Sequence, residues 1–432
     1  MDKNLEYMKC MKKHLLLVTS GFPFGESERS FLEIEFNQLI RHFQVIVLAT
    51  TNETDAIIYP LNEEIKVYHF RVDENKNKEY IPALKRKEVR EELKESQREG
   101  NRKNRIIRIR SVLGYAARAE ACRKFMENIV RQYDIDMIYT YWCTPATLAA
   151  IQIKRNEPEL KVITRMHGYD LYVERTGKAM WQPFRRYITA NIDKIVFACK
   201  YAKKYYIEHW AKACADKCMV SYIGAKAYKR VVWDESEVLS LISCSNVIEL
   251  KRVHLIVDAL ALVPEKYLIK WIHIGGGELL DDIKMHAKEK LGNKSNISYE
   301  FTGAIPNGRI KEIYCQINPK LFISTSATEG GAPISIVEAF SMGIPAMGTE
   351  VGGIKDLINE EQTRQTGYLF SVEAMPENIC DLICKYMDLP VDVQKRLGEN
   401  AYNIWKENFN AEKNAKKLMI ELEKEGSYSN YG

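Results

Sequence analysis

The sequence predicts an α/β protein made of two Rossmann-like, doubly wound domains facing a cleft. Three observations lead there. Short apolar runs alternate along the chain with longer segments of helical periodicity. Glycine follows several of those runs, at what would be the carboxyl end of a strand, where open α/β sheets bind ligands. The 432 residues exceed what one core usually organises, and the alternation begins afresh near residue 238 after a stretch of mixed polarity at 226–236. Domains are therefore expected over residues 1–230 and 231–404, with a terminal segment at 405–432.

Residues 13–19 read as the first strand, followed by the loop Ser20-Gly21-Phe22-Pro23-Phe24-Gly25 and helical periodicity over 26–42. Gly21 and Gly25 should thus edge the cleft, although the loop lacks a full G-x-G-x-x-G. Strands follow at 45–49 and 66–70. From 73 to 118 the chain becomes charged, with Arg98, Arg102, Lys103, Arg105, Arg108 and Arg110 beside Ile106, Ile107 and Ile109. Two readings stand: a solvated helical face, or a basic amphipathic insertion that rests on an anionic membrane or admits a lipid-linked acceptor.

Asp134-Ile135-Asp136 has the form of a metal-bridged diphosphate triplet, but it enters the strand at 137–141 by its amino end, opposite the ligand side. It is read as structural. Thr144-Pro145 opens a helix. The strand at 161–165 ends at His167 and Gly168, with Asp170, Tyr172 and Arg175 just beyond. A lone histidine is commonly structural. At a strand end before glycine, however, one imidazole nitrogen can be fixed while the other reaches a substrate. A strand at 195–198, a helix at 200–210 and a last strand at 220–225 complete the first half.

The second half opens with a strand at 238–244, then Lys251 and Arg252 before an amphipathic helix, where side-chain cations and helix N–H groups converge. The strand at 267–274 ends in Gly275-Gly276-Gly277, which is either a phosphate cradle or, more simply, a tight turn. A strand at 297–302 and a helix at 309–317 lead into LFISTSATEGGAPISIVEAFSMGIPAMGTEVGGIKDLI, residues 321–358. This stretch reads as an apolar strand at 321–324, a small-residue loop, a helix with Pro333 in its first position, a Gly343-Ile344-Pro345 break and a Gly352-Gly353 turn. Glu329 lies in the loop and Glu338 on the helix. Backbone N–H groups and carboxylates beside the positive end of a helix suit a ligand that is both hydroxylated and anionic. A final strand is expected at 367–370, with helices from 376 onward and a long one over 405–422.

A net charge of +5 and a pI near 8.5 fall short of a nucleic-acid binder. The amino-terminal lysines precede an apolar run too short for a signal peptide or a membrane span, so a cytoplasmic protein is predicted. Ten cysteines lack any C-x-x-C pair, and Cys214/Cys218 and Cys380/Cys384 stand one helical turn apart. Buried thiols in a reducing compartment are expected rather than a zinc site or disulfides.

The order within 321–358 of acid, glycines, proline, apolar helix with a second acid, Gly-x-Pro and Gly-Gly resembles the nucleotide-sugar-binding signature of the family-4 retaining glycosyltransferases of GT-B fold (glycosyl transferases group 1). The resemblance extends over nearly the whole chain and is strongest from 243 to 370. It implies transfer of a sugar from a nucleotide-diphosphate donor to a hydroxyl of a glycan or lipid-linked acceptor, with retention and without metal or cofactor. The setting it implies is bacterial surface polysaccharide or glycolipid assembly at the inner membrane face, with peripheral membrane contact and no nucleic acid.

By the same resemblance His167, Lys251 and Glu329 are the catalytic candidates. His167 would contact the transferred sugar or its diphosphate, Lys251 the diphosphate and Glu329 the sugar hydroxyls. Glu338 would hold the ribose diol, and Gly330, Gly331, Ala332, Pro333 and Ile334 would line the donor loop. Gly21, Gly25, Asn246, Arg252 and Gly275 complete the donor-binding candidates. Two departures stand out. Eight residues rather than seven separate the two acids, and Asn246 occupies the position of an arginine five residues before the lysine. Arg252 is the candidate substitute. The terminal helix would cross back to the first domain. A nucleotide-sugar epimerase of the same fold and a non-catalytic nucleotide-sugar-binding protein are the other readings.

Overall fold

The computed structural model describes residues 12–25, 28–50, 56–98 and 104–425. It forms two compact units. The first takes the chain up to Ala198, Ala202–Ser221 and the part from Ala415 onward; the second takes Cys199–Tyr201 and Tyr222–Asn414. The division thus falls at Ser221/Tyr222, ahead of the 230 read from the sequence.

The first unit is built on a seven-stranded parallel sheet. In chain order its strands are β1 (His14–Thr19), β2 (Gln44–Ala49), β3 (Lys66–His69), β4 (Met137–Thr140), β5 (Lys161–Met166), β6 (Lys194–Phe197) and β7 (Cys218–Val220), and their spatial order is 3-2-1-4-5-6-7. β1 lies between β2 and β4, Leu15 facing Val45 on one side and Met137 on the other. The order reverses there, which makes the carboxyl ends of β1 and β4 the switch point of the sheet. Helices on both faces explain why β1 and β4 are almost wholly buried and apolar rather than alternating. Leu15, Leu17, Phe36, Val47 and Tyr139 form the core, joined by Leu418, Met419 and Leu422 of the helix Ala411–Glu425.

The second unit repeats the plan with six parallel strands: β8 (Val238–Cys244), β9 (Leu268–Ile274), β10 (Ile297–Phe301), β11 (Leu321–Ser324), β12 (Ala346–Thr349) and β13 (Gly367–Phe370), in the order 10-9-8-11-12-13. Its switch point lies at β8 and β11. Trp271, Leu241, Ile269 and Ile323 fill one face of the sheet, and Ile242, Phe322, Ile336 and Phe340 the other.

Several elements depart from expectation. The strand read at 220–225 is β7, which ends at Val220; Ala225 instead makes an isolated parallel bridge to Asn410. The long helix expected from 405 opens as a wide turn over Trp405–Phe409, stops at the extended Asn410 and restarts at Ala411. Apolar Trp405 and Phe409 are buried, so the periodicity continues while the backbone does not. Glu26 and Ser27 lie outside the described residues, and the first helix is Arg29–His42.

The charged stretch resolves into short helices, a helix Lys87–Arg98 and a 29-residue helix Arg105–Tyr133. Arg102 and Lys103 lie outside the described residues. It is not a uniformly solvated face. Arg108 is buried and donates to the Ser96 carbonyl, Glu120 is gripped by Arg86 and Arg123, and Arg118 pairs with Asp73 at 2.7 Å. Ile106, by contrast, is 66% exposed. Among the described residues no helix is long and apolar enough to cross a membrane. The acidic triplet is structural: Asp136 accepts the His14 N–H, and Asp134 ends the 29-residue helix in a left-handed conformation.

Candidate functional site

The donor candidates of the second unit lie where its sheet order reverses. Cys244 ends β8, and the chain runs through an exposed Asn246 into a single turn of 3-10 helix, Glu249–Lys251, which Arg252 closes with φ of 48°. After β11 the loop is laced to that turn. The Thr325 hydroxyl donates to the carbonyls of Lys251 and Arg252, and the Ala327 N–H donates to Leu250. Lys251 Nζ reaches Glu329 at 2.5 Å. Sequence spacing brought Lys251 and Glu329 under suspicion separately; the fold pairs them.

Arg252 has a different task from the one expected. Its Nε donates to the Thr325 carbonyl and its Nη1 to Val372, so two of its donor nitrogens clamp backbone. It staples the loop that carries Glu329, and is less free than Lys251 to replace the arginine absent at Asn246.

The glycines around this loop are demanded by close approach. A Cβ on Gly352, whose φ is 49°, would sit 2.1 Å from the Glu329 carbonyl oxygen, and one on Gly353 would sit 2.3 Å from the Ala332 nitrogen. The Gly-Gly turn is the surface against which residues 329–332 are moulded. Gly275 acts similarly: its Cβ would meet the Ser245 carbonyl oxygen at 1.9 Å, and the Val247 N–H donates to Gly276. The triple glycine is therefore the tight turn that positions the loop of Asn246.

Pro333 stands one position earlier than expected, as the N-cap of the helix Ile334–Ser341. Its extended ψ of 123° turns the chain into the helix, leaving the Ile334 and Ser335 amides without intrahelical acceptors. Glu338 is largely buried on this helix and accepts a hydrogen bond from the Tyr228 hydroxyl at 3.1 Å. Burial pushes its carboxyl up to about 7, and the Tyr228 bond only partly offsets this. Nothing in the sequence pattern marked Tyr228, which reaches the helix from residues read as a linker.

In the first unit His167 follows β5. Its Nε2 lies 3.1 Å from the Tyr141 carbonyl, which can only accept, so Nε2 carries the proton and Nδ1 is the acceptor. The ring lies 4.2 Å from the Trp142 ring centroid and 5.1 Å from that of Tyr141. Burial, then the nearby Arg165 charge, lowers the imidazole to about 3. It is a neutral group at physiological pH, able to accept a hydroxyl proton in a hydrogen bond but not to act as a cation. Asp170 fixes the segment by accepting the His167 N–H at 2.7 Å and the Cys143 N–H at 2.7 Å.

The first loop holds what sequence reasoning missed. The amides of Ser20, Gly21 and Phe22 all donate to the carboxylate of Glu28, at 3.0, 2.6 and 2.8 Å, and the Trp142 indole N–H joins them. Gly21, expected to approach a donor phosphate, has its N–H committed to Glu28. The Gly25 N–H is likewise used, donating to the Gly21 carbonyl. The only signal was an acid between a glycine loop and a helix. Beneath the sheet end, the buried Arg165 pairs with Glu35 at 2.7 Å and donates to Tyr139 and Ser221.

The same unit contains a cavity of about 780 Å³ bounded by Arg110, Tyr115, Arg118, Arg175, Trp181 and Arg185, with Glu28, Trp142 and Asp170 in its wall. Of these arginines and acids, the sequence places only Asp170 and Arg175 just beyond a strand end.

Comparison with known proteins bears on these arrangements. Residues 195–404 match the family described as "Glycosyl transferases group 1". N-acetyl-alpha-D-glucosaminyl L-malate synthase of Bacillus anthracis is 24% identical over 322 residues, which span 70% of this chain and 78% of that protein. Sucrose-phosphate synthase of Thermosynechococcus elongatus superposes with a TM-score of 0.68 at 13% identity, covering 96% of this chain and 99% of the other. The Anabaena HepE protein in complex with UDP gives 0.64 at 17% identity, over 95% and 100%. Residues 195–404 thus match the group 1 glycosyltransferases, and the two parallel-sheet units of the chain have the GT-B fold of these structures.

Proposed function

We propose that this chain transfers a sugar from a nucleotide-diphosphate donor to a hydroxyl acceptor, with retention of anomeric configuration and without a metal ion, in assembly of bacterial surface polysaccharide or glycolipid at the inner membrane face. The observation that carries this reading is the lacing of two turns at the switch point of the second sheet, which pairs Lys251 with Glu329 in the loop that leads into the helix Ile334–Ser341, the helix of Glu338. The HepE neighbour, in complex with UDP, supports a nucleotide donor.

The chemistry is charge handling. As the bond from sugar to phosphate breaks, negative charge grows on the diphosphate and positive charge on the ring. Lys251 and the helix amides stabilise the former. The diphosphate would draw Lys251 away from Glu329, freeing that carboxylate to accept hydrogen bonds from sugar hydroxyls. Glu338 takes the ribose diol, so it is not placed to be a covalent nucleophile, and departure and attack on one face is the retaining route. His167, neutral with Nδ1 as acceptor, takes a hydroxyl of the sugar.

The test incubates isotope-labelled nucleotide sugars with a panel of glycans and lipid-linked alcohols in the presence of EDTA. Proton spectra of the product report the anomeric configuration. Labelled product with the donor's configuration is expected. An epimerised nucleotide, or donor bound and unchanged with every acceptor, would refute the reading.

A further inference from the structure

The cavity of the first unit has an unbalanced wall. Arg110, Arg118, Arg175 and Arg185 line it together with two acids, Glu28 and Asp170. Both acids are already engaged by N–H donors: Glu28 by the amides of Ser20, Gly21 and Phe22 and the Trp142 indole, Asp170 by the amides of His167 and Cys143. Of the four arginines, Arg118 is paired with Asp73. Arg110 and Arg175 make no ion pair among the described residues.

Arg185 is 2% exposed, yet among the described residues it donates to no carboxylate. Its guanidinium is held by the carbonyls of Cys143, Asp170 and Pro183, by the Gln182 side chain and by the Tyr115 hydroxyl, while Nε has no hydrogen-bond partner among the described residues. The Asp170 carboxylate is near enough to act on it through space but makes no hydrogen bond to it. A buried cation without a paired anion is costly, so such a site is completed by what binds there. The planar fork of arginine suits a phosphate or carboxylate.

The cavity also has a direction. Arg110, Ser111, Tyr115 and Arg118 lie along one side of the helix Arg105–Tyr133. Gly114 keeps that side open: a Cβ there would press on the Arg118 guanidinium at 3.3 Å. One turn before Arg110 stand Ile106 and Ile107, 66% and 38% exposed.

We propose that this cavity receives the anionic group, a phosphate or carboxylate, of the acceptor; the proposal rests on the transferase reading above. The anion lies against Arg110, Arg175 and Arg185, and the rest of the acceptor extends past Trp181 or along Ile106 and Ile107. The anion has two sources, the head group of a lipid-linked phosphate or a soluble acid, and both share this chemistry.

The test uses the full chain and an Arg110→Gln/Arg175→Gln variant, both positions lying at the surface or half-buried. Calorimetry measures inorganic phosphate, succinate and decyl phosphate below its micelle concentration, and separately a nucleoside diphosphate. At least tenfold weaker binding of the anions by the variant, with unchanged nucleotide binding, is the expected result. Decyl phosphate bound much more tightly than inorganic phosphate identifies a lipid head group, and parity a soluble acid. Equal anion binding by variant and wild type overturns the proposal. So does loss of nucleotide binding in the variant, because the cavity would then belong to the donor. If wild type binds the anions but transfers no sugar to any acceptor, the transferase reading has failed, and with it the assignment of this anion to an acceptor.

Discussion

Glu338 gives a sharp test of the donor site because its proton is displaced from where an ordinary glutamate keeps it. Burial holds the carboxyl at about 7. A ribose diol presents two O–H donors and needs both carboxylate oxygens as acceptors, so only the ionised form binds well. Apparent affinity then weakens by a factor of 1 + 10^(7−pH), about 11 at pH 6 and about 1.1 at pH 8. Nucleotide binding should be roughly tenfold weaker at pH 6 than at pH 8, or about 1.4 kcal/mol. It should also release close to one proton at pH 6, read by calorimetry in two buffers of different ionisation enthalpy. Glu338→Gln should bind less tightly and show a flat profile over the same range. A wild type indifferent to pH, or a glutamine variant that keeps the tenfold slope, would show that this carboxylate does not hold the nucleotide. The same shift affects folding with opposite sense: between about 4.5 and 7 the folded chain retains a proton that the unfolded chain has lost. Its contribution to stability is therefore complete below that window and lost as pH rises through it.

Other perturbations separate ligand contacts from framework. Lys251→Ala should weaken nucleoside-diphosphate binding roughly 10- to 150-fold, the loss of about 1.5 to 3 kcal/mol for a hydrogen bond to a charged group, while circular dichroism stays native. Gly352→Ala should destabilise the second unit by about 2 kcal/mol or more in urea titration, since its Cβ would collide with the Glu329 carbonyl at a left-handed backbone position; unchanged stability would mean that the loop has another way to pack. Glu35→Ala leaves the Arg165 charge buried without its anion and should cost about 3 to 5 kcal/mol of stability, seen as a shift of the urea midpoint. His167→Ala should lower kcat, and because the imidazole is held at about 3 the wild-type rate should show no inflection from it between pH 5 and 9; an inflection near 6.5 that disappears in the variant would place the group in water instead.

Strands were the most legible part of the chain. Those at 238–244, 321–324 and 367–370 coincide with β8, β11 and β13, because strands covered largely on both faces are mostly apolar and end where polar loop begins. Boundaries decided by a single backbone torsion were less so. Asn410 interrupts a run whose apolar spacing continues through it, and Pro333 ends as a cap because its ψ is extended, which no side-chain pattern reports. In the candidate site, the charged residues proposed to meet a ligand, Lys251, Glu329 and Glu338, were visible in the sequence. Partners that arrive from distant sequence were not: Tyr228 reaches Glu338 across 110 residues and, in the first unit, Trp142 reaches Glu28 across 114. In Arg252 and Gly21 the group that suits a phosphate is spent within the fold, the guanidinium on carbonyls and the amide on Glu28.

The return of the last helix has a consequence for how the molecule is made. Leu418, Met419 and Leu422 pack with Leu15, Phe36 and Tyr139, residues translated almost a whole chain earlier. The second unit, Tyr222–Asn414, is by contrast an uninterrupted segment apart from Cys199–Tyr201. During synthesis, then, the part begun first is the part finished last. The amino-terminal core keeps an open apolar seam until residue 422 has left the ribosome, whereas the unit in the middle can close on itself beforehand.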